Sequence, residues 1–216
     1  MRELLDKASG DLLVGEIYPQ QFGRDFWNTD DSGFWKLERR QTFRQPQSDS
    51  WAAFDKGDWA EALRLIEARR SSLEHYYRKI ADHGFNTRWV RIVEKPITPY
   101  LQWEFHSYQV RSQCGDRIRV VHVDQVEQFE QLNQLPEMVI LGREVMYELV
   151  YDENGLQEGG IRFTDRELAA HWKKFVQDLY TAGEEVESYF QREIANLEPP
   201  VRVGVPGRRS TERRWP

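Results

Sequence analysis

The chain has 216 residues and a formal net charge of −6, with 39% hydrophobic and 13% aromatic residues, including eight tryptophans. Disordered chains are poor in aromatics, so this composition excludes a wholly unstructured chain and fits one main domain with a core of large rings. A single cysteine, Cys114, excludes an intrachain disulfide or a cysteine-based zinc site and suits a reducing, cytoplasmic setting; no run of about 18 apolar residues offers a membrane span.

Met1 to Gly15 mixes charges with its leucines, which does not read as a signal peptide. Residues 1–14 predict a short helix on Leu4, Leu5, Leu12 and Leu13. Residues 15–58 are rich in Gly, Asp, Gln, Ser and aromatics, with a short ordered element expected near Phe34–Arg40; Phe22, Phe26, Trp27, Phe34, Trp35, Phe43 and Trp51 should wrap this segment around the core. Trp59 to His83 reads as one helix, with Trp59, Leu63, Ile66, Leu73, Tyr77 and Ile80 on its apolar side and Gly84 as its stop.

Arg88 to Glu94 (RWVRIVE) is a β-rich run ended by Pro96. Thr98-Pro99 predicts a helix start, capped by Thr98, that runs to about Ser112. Arg117 to Asp124 (RIRVVHVD) is the next strand, followed by a helical turn at 125–132 and a strand near Glu137–Leu141. Glu144–Tyr151 and Leu156–Phe163 flank Asp152-Glu-Asn-Gly155 as a hairpin, with Gly155 at the positive-φ position. Gly159-Gly160 suggests a bulge. Thr164-Asp-Arg-Glu167 is a capping box before a helix through Trp172 and Leu179, and a further helix is expected over 184–196.

This order predicts a mixed α/β (α+β) fold: a mixed sheet of about five strands with helices packed on it and a parallel pair across 88–124. The expected organisation is an N-terminal helix and aromatic-rich wrapping segment at 1–58, a mixed α/β core domain at 59–198 and a basic tail at 199–216. Residues 201–216 hold five arginines and one glutamate, a net +4, so the first 200 residues carry −10. Such a body repels nucleic acid, leaving the tail as the one place where nucleic acid could bind.

No nucleophile elbow, phosphate loop, dinucleotide fingerprint or His-Glu-x-x-His pair occurs, and no cofactor is expected. His122 and Asp124 fall on one strand face, a possible base with its orienting acid. The densest polar–aromatic stretch is 88–106. Parallel strands present ligands beyond their carboxyl ends, and a helix N-terminus attracts anions. A site for a small anionic ligand is therefore expected here: Lys95 and the Thr98 helix start hold charge, Tyr100 and Trp103 supply stacking surface, Arg91 and Glu94 orient the ligand, and Glu104 shares a helix face with Tyr100.

These same residues carry a resemblance. Phe34-Trp-Lys-Leu-Glu38, the stretch RWVRIVEKPITPYLQWEF (88–105), Gly115-Asp-Arg-Ile-Arg119, the YDENG turn (151–155) and His171-Trp172 resemble a large actinobacterial family, a domain of unknown function, over about residues 30–190. Genes of that family often lie beside helix-turn-helix regulators, so the resemblance implies a regulatory setting. The element order from 88 to 183 is also similar to degenerate phospholipase-D-like sensor domains, here without the catalytic motif. The leading expectation is a non-enzymatic regulatory or sensing module that binds a small anionic ligand or a protein partner such as a helix-turn-helix regulator. The alternatives are an enzyme acting on a nucleotide or acyl substrate through His122, Asp124 or Glu104, and a nucleic-acid-associated protein working through its tail.

Overall fold

The computed structural model describes residues 2–200, so the arginine-rich tail at 201–216 lies outside the described residues. The core is one mixed sheet of eight strands in the order β1-β7-β6-β5-β2-β3-β4-β8. In chain order the strands are β1 (Asp11–Val14), β2 (Phe34–Glu38), β3 (Thr87–Val93), β4 (Arg117–His122), β5 (Met138–Leu141), β6 (Val145–Tyr151), β7 (Gln157–Phe163) and β8 (Glu184–Glu185). Strands β2, β3 and β4 run parallel; every other pairing is antiparallel. The helices are α1 (Arg2–Lys7), α2 (Ile17–Trp27), α3 (Asp49–Lys56), α4 (Trp59–Ala68), α5 (Arg70–Asp82), α6 (Pro99–Gln113), α7 (Arg166–Ala182) and α8 (Val186–Tyr189). None of them is long and apolar enough to cross a membrane.

The mixed class is as expected, but the sheet has eight strands where about five were read. The extra ones are β1, β2 and β8, each only two to five residues long. Strands that short take their order from their neighbours more than from local pattern. Strand β1 replaces the second half of the expected N-terminal helix and pairs only with β7, with Leu12 62% exposed at the sheet edge. Strand β2 sits centrally, hydrogen-bonded to β5 on one side and β3 on the other.

Alternation along the strands divides the core. Trp35, Leu37, Val90, Ile92, Val121 and Ile140 pack beneath α7, around the fully buried Trp172. The opposite face receives α6 and α8 through Leu101, Phe105, Tyr108 and Tyr189, and α2 and α5 through Phe26, Tyr77 and Ile80. Helix α6 is buried on most of its circumference, with eight buried residues that include Gln102 and Glu104, because it lies between the sheet on one side and α4 and α8 on the others.

Several local expectations shift. The predicted 59–83 helix breaks into α4 and α5 at Arg69, whose N–H reaches Ile66 O (3.2 Å) in a tightened turn. Asp165, not Thr164, caps α7 by accepting from Glu167 N and Leu168 N. The expected helix over 184–196 is β8, then α8, then a π-helical turn at Phe190–Ile194. The hairpin forms with Gly155 at φ +81°, and the register shift lies between Val150 and Tyr151.

Gly159 serves a close approach. A Cβ there would collide with the Leu13 carbonyl of β1. Gly159→Ala should therefore destabilise the protein by about 1–3 kcal/mol in urea denaturation and expose β1 amides to hydrogen exchange. Unchanged exchange of residues 11–14 would refute this packing.

Candidate functional site

Alternation places charges where a sheet normally buries apolar groups. Lys36 and Glu38 on β2 stand opposite Trp89 and Arg91 on β3, on the face turned away from α7. Charged side chains are almost never fully buried unless paired, and here they are paired. Lys36 Nζ lies 2.7 Å from Glu38 Oε1, and the Tyr108 hydroxyl donates to Glu38 Oε2. Arg91, with no exposed surface, donates through Nε to Glu104 Oε2 (2.9 Å). The Tyr100 hydroxyl donates to Glu104 Oε1 (2.6 Å) and accepts from Gln45 Nε2 (2.5 Å).

Helix α6 supplies its half of this network from one stripe: Tyr100, Glu104, Ser107, Tyr108 and Arg111 follow the three-and-four spacing of a helix face. A second cluster extends the stripe. Asp116 accepts from Arg111 Nη2 (2.5 Å), Tyr77 OH (2.8 Å) and Thr87 Oγ1 (2.5 Å). Arg111 Cζ and Lys36 Nζ both approach the Trp89 ring, at 3.9 and 4.1 Å from its centre.

The two central carboxylates are driven apart. Burial works to raise both. At Glu38 the Lys36 and Arg91 charges outweigh burial and hold the carboxyl below its ordinary value. At Glu104 burial, with the Glu38 charge added, prevails over Arg91 and raises the carboxyl.

Above this floor lies a groove of ≈1510 Å³ between the sheet and α2, α5 and α6. Tyr18, Phe22 and Phe26 of α2 and Tyr76 of α5 give it aromatic walls, and Lys36, Glu38, Trp89, Glu104, Tyr108 and Arg111 line its polar side. A smaller side pocket of ≈30 Å³ lies beside it, lined by Gln45, Ser48, Ser50, Arg69, Trp103 and Ser107, all of which also line the groove.

The seven residues singled out in the sequence fall into two groups. Arg91, Tyr100, Trp103 and Glu104 come together at the groove: Trp103 and Glu104 line it, and Arg91 and Tyr100 hold Glu104 from behind. Glu94, Lys95 and Thr98 stay at the strand–helix corner and do not line the groove. Lys95 Nζ pairs with Glu193 (2.8 Å), and Glu94 pairs with Arg39 (2.5 Å). Thr98 caps α6 by accepting from Leu101 N and donates to Gln41 O, so that helix start is already satisfied. His122 ends β4, and Asp124 lies in the 3-10 turn after it, so the two do not share a strand face. The catalytic motif expected to be missing, the His-x-Lys of phospholipase-D-like proteins, does occur as a bare triplet at His171-Trp172-Lys173 on α7. It lies across the sheet from the groove, with Trp172 in the core and Lys173 donating to Gly142 O (3.3 Å).

Sequence reading passed over Lys36, Glu38, Arg69, Trp89, Tyr108 and Arg111. The readable signal was FWKLE, in which two charges occupy alternate positions of a strand otherwise made of large apolar residues.

Glu137 lies under the same network. Its Oε1 accepts from Arg39 N (2.9 Å) and Arg40 N (2.6 Å), and its carboxyl is pushed up to about 7, first by burial and then by the Glu38 charge. A carboxyl raised on folding adds stability that is full below its unfolded value of 4.5 and is lost as pH rises through about 7. The stability difference between wild type and Glu137→Gln in urea should therefore shrink across that window. A difference that stays constant with pH would show that Glu137 holds no extra proton in the fold.

The family described as a domain of unknown function (DUF6879) matches residues 21–191, a span that contains every residue of the charged floor. No curated protein matches the chain.

Proposed function

The chain belongs to this family of unknown function, and from the geometry of its groove we propose that it is a non-enzymatic sensing module for a small organic ligand of the anionic class. The observation that carries the reading is the convergence of aromatic walls on a buried, hydrogen-bonded polar floor within one concavity. Small-molecule sites combine apolar walls with a few placed polar groups, and strongly shifted carboxyls add weight to such a site. In this reading Trp103 and Glu104 face the ligand, and Arg91 and Tyr100 position Glu104. Glu94, Lys95 and Thr98 fix the corner from which α6 starts. A helix-turn-helix regulator is the partner implied by the resemblance; in that setting groove occupancy is the signal the partner reads.

A second reading rests on the split between Glu38 and Glu104. Two carboxyls pushed apart in one site suit base and acid roles on a bound nucleotide or acyl substrate. His122 and Asp124 take no part in it, since neither lines the groove.

Tyr76 offers a test because it lines the groove while remaining 39% exposed. Tyr76→Ala should weaken binding of flat aromatic probes to the folded variant about 3–10-fold in calorimetric titration, the value of one ring contact, and should lower the melting temperature, because its ring also meets Phe26, Trp27 and Tyr77. Equal affinity in the variant would remove the groove as the binding site. Proton NMR of the bound probe should show it unaltered after prolonged incubation; a new product would favour the acid–base reading.

A further inference from the structure

The stretch from α4 into α5 carries three arginines within seven residues. Arg64 pairs with Glu61, and Arg70 pairs with Glu67, each within one helical turn. Arg69, at the break between the helices, has no ion pair among the described residues. The break also sets Arg69 on the wall of both the groove and the side pocket.

The rest of that side pocket presents donors. Ser48 Oγ accepts from Trp51 N (3.2 Å), which leaves its hydroxyl proton uncommitted. The Ser107 hydroxyl on α6 has no hydrogen bond among the described residues. Ser50 is occupied, donating to Ala62 O (2.8 Å) and accepting from Trp103 Nε1 (2.9 Å). No carboxylate lines the pocket, and Asp49, next along from Ser48, lines only the groove. One unpaired guanidinium and two free hydroxyls in a space without acidic groups make a receptor for oxygen anions. A water-sized group needs roughly 10–15 Å³, so ≈30 Å³ has room for about two, the number of oxygens in a carboxylate.

We propose that this side pocket is the acid-binding subsite of the groove, and that the ligand is an aromatic carboxylic acid. Its ring lies along the aromatic walls, and its carboxylate reaches Arg69, Ser48 and Ser107. The proposal rests on the binding reading above and adds the ligand's chemical class and the residue that selects it. Arg69 is the selecting group because, of the cations that line the groove, it also lines the side pocket: Lys36 holds Glu38, Arg111 holds Asp116, and Arg44 lines the groove but not the pocket.

The test compares 2-naphthoate with its neutral counterpart 2-naphthalenemethanol by isothermal calorimetry on the full chain. Wild type should bind naphthoate at least tenfold more tightly than the alcohol, because a hydrogen bond to a charged group adds this much. Arg69→Ala should remove that preference and leave the alcohol's affinity unchanged. Its melting temperature should hold, since Arg69 is exposed and unpaired. Arg69→Lys should fall between the two, keeping the charge without the planar fork. Ser107→Ala should weaken naphthoate alone. If both probes bind wild type equally, or if Arg69→Ala weakens both equally or neither, the acid subsite is overturned while the groove stands as a binding site. If neither probe binds wild type, the groove reading fails and the subsite fails with it.

Discussion

The fold and the groove both depend on the contact between Arg91 and Glu104. Arg91 is fully buried on the central strand β3, and Glu104 reaches it from α6. A charge in that position is tolerated only with a partner, which Glu104 supplies at Arg91 Nε, while Arg91 Nη2 has none among the described residues. Tyr100 and Gln45 therefore extend the chain of bonds outward, and Glu38, Lys36 and Tyr108 extend it along the sheet. The pairing sets where α6 lies over the sheet, and so sets how far the groove opens between that helix and α2.

The same constraint explains why the groove's polar side is pre-organised. Lys36, Glu38, Glu104 and Arg111 all hold fixed partners, so each presents a set orientation and little free charge. Free charge is left at the rim, at Arg69, which has Ile66 three residues before it where Arg64 and Arg70 have Glu61 and Glu67. A rigid floor with an unpaired cation at its rim suits recognition of a ligand better than a floor of mobile charges, because little ordering is left for the moment of binding.

Much of this was legible in the sequence. RWVRIVE, Thr98-Pro99 and RIRVVH announce β3, α6 and β4, since each carries a strong local signal: β-branched runs, a capping threonine and a proline at the first helical turn. Four of the seven residues chosen from that stretch meet at the groove, because β3 and α6 are consecutive and pack directly together. The central position of β2 was not legible. Five residues pair with β3, and four of them also with β5, some 50 and 100 positions away, and nothing local encodes those partners. With Phe34–Arg40 read only as a short ordered element of a wrapping segment, Lys36 and Glu38 were not singled out. The break at Arg69 has no glycine or proline to mark it, so an unbroken helix was the natural reading of its periodicity.

The most direct measurement is a double-mutant cycle on the central pair, using Arg91→Met, Glu104→Leu and the two together, followed by urea denaturation. Each single variant strands a buried charge and should cost about 3–5 kcal/mol. The double variant removes both charges and should cost far less than the sum of the singles. Additive costs, or single variants as stable as wild type, would contradict the claim that this ion pair fixes α6 on the sheet.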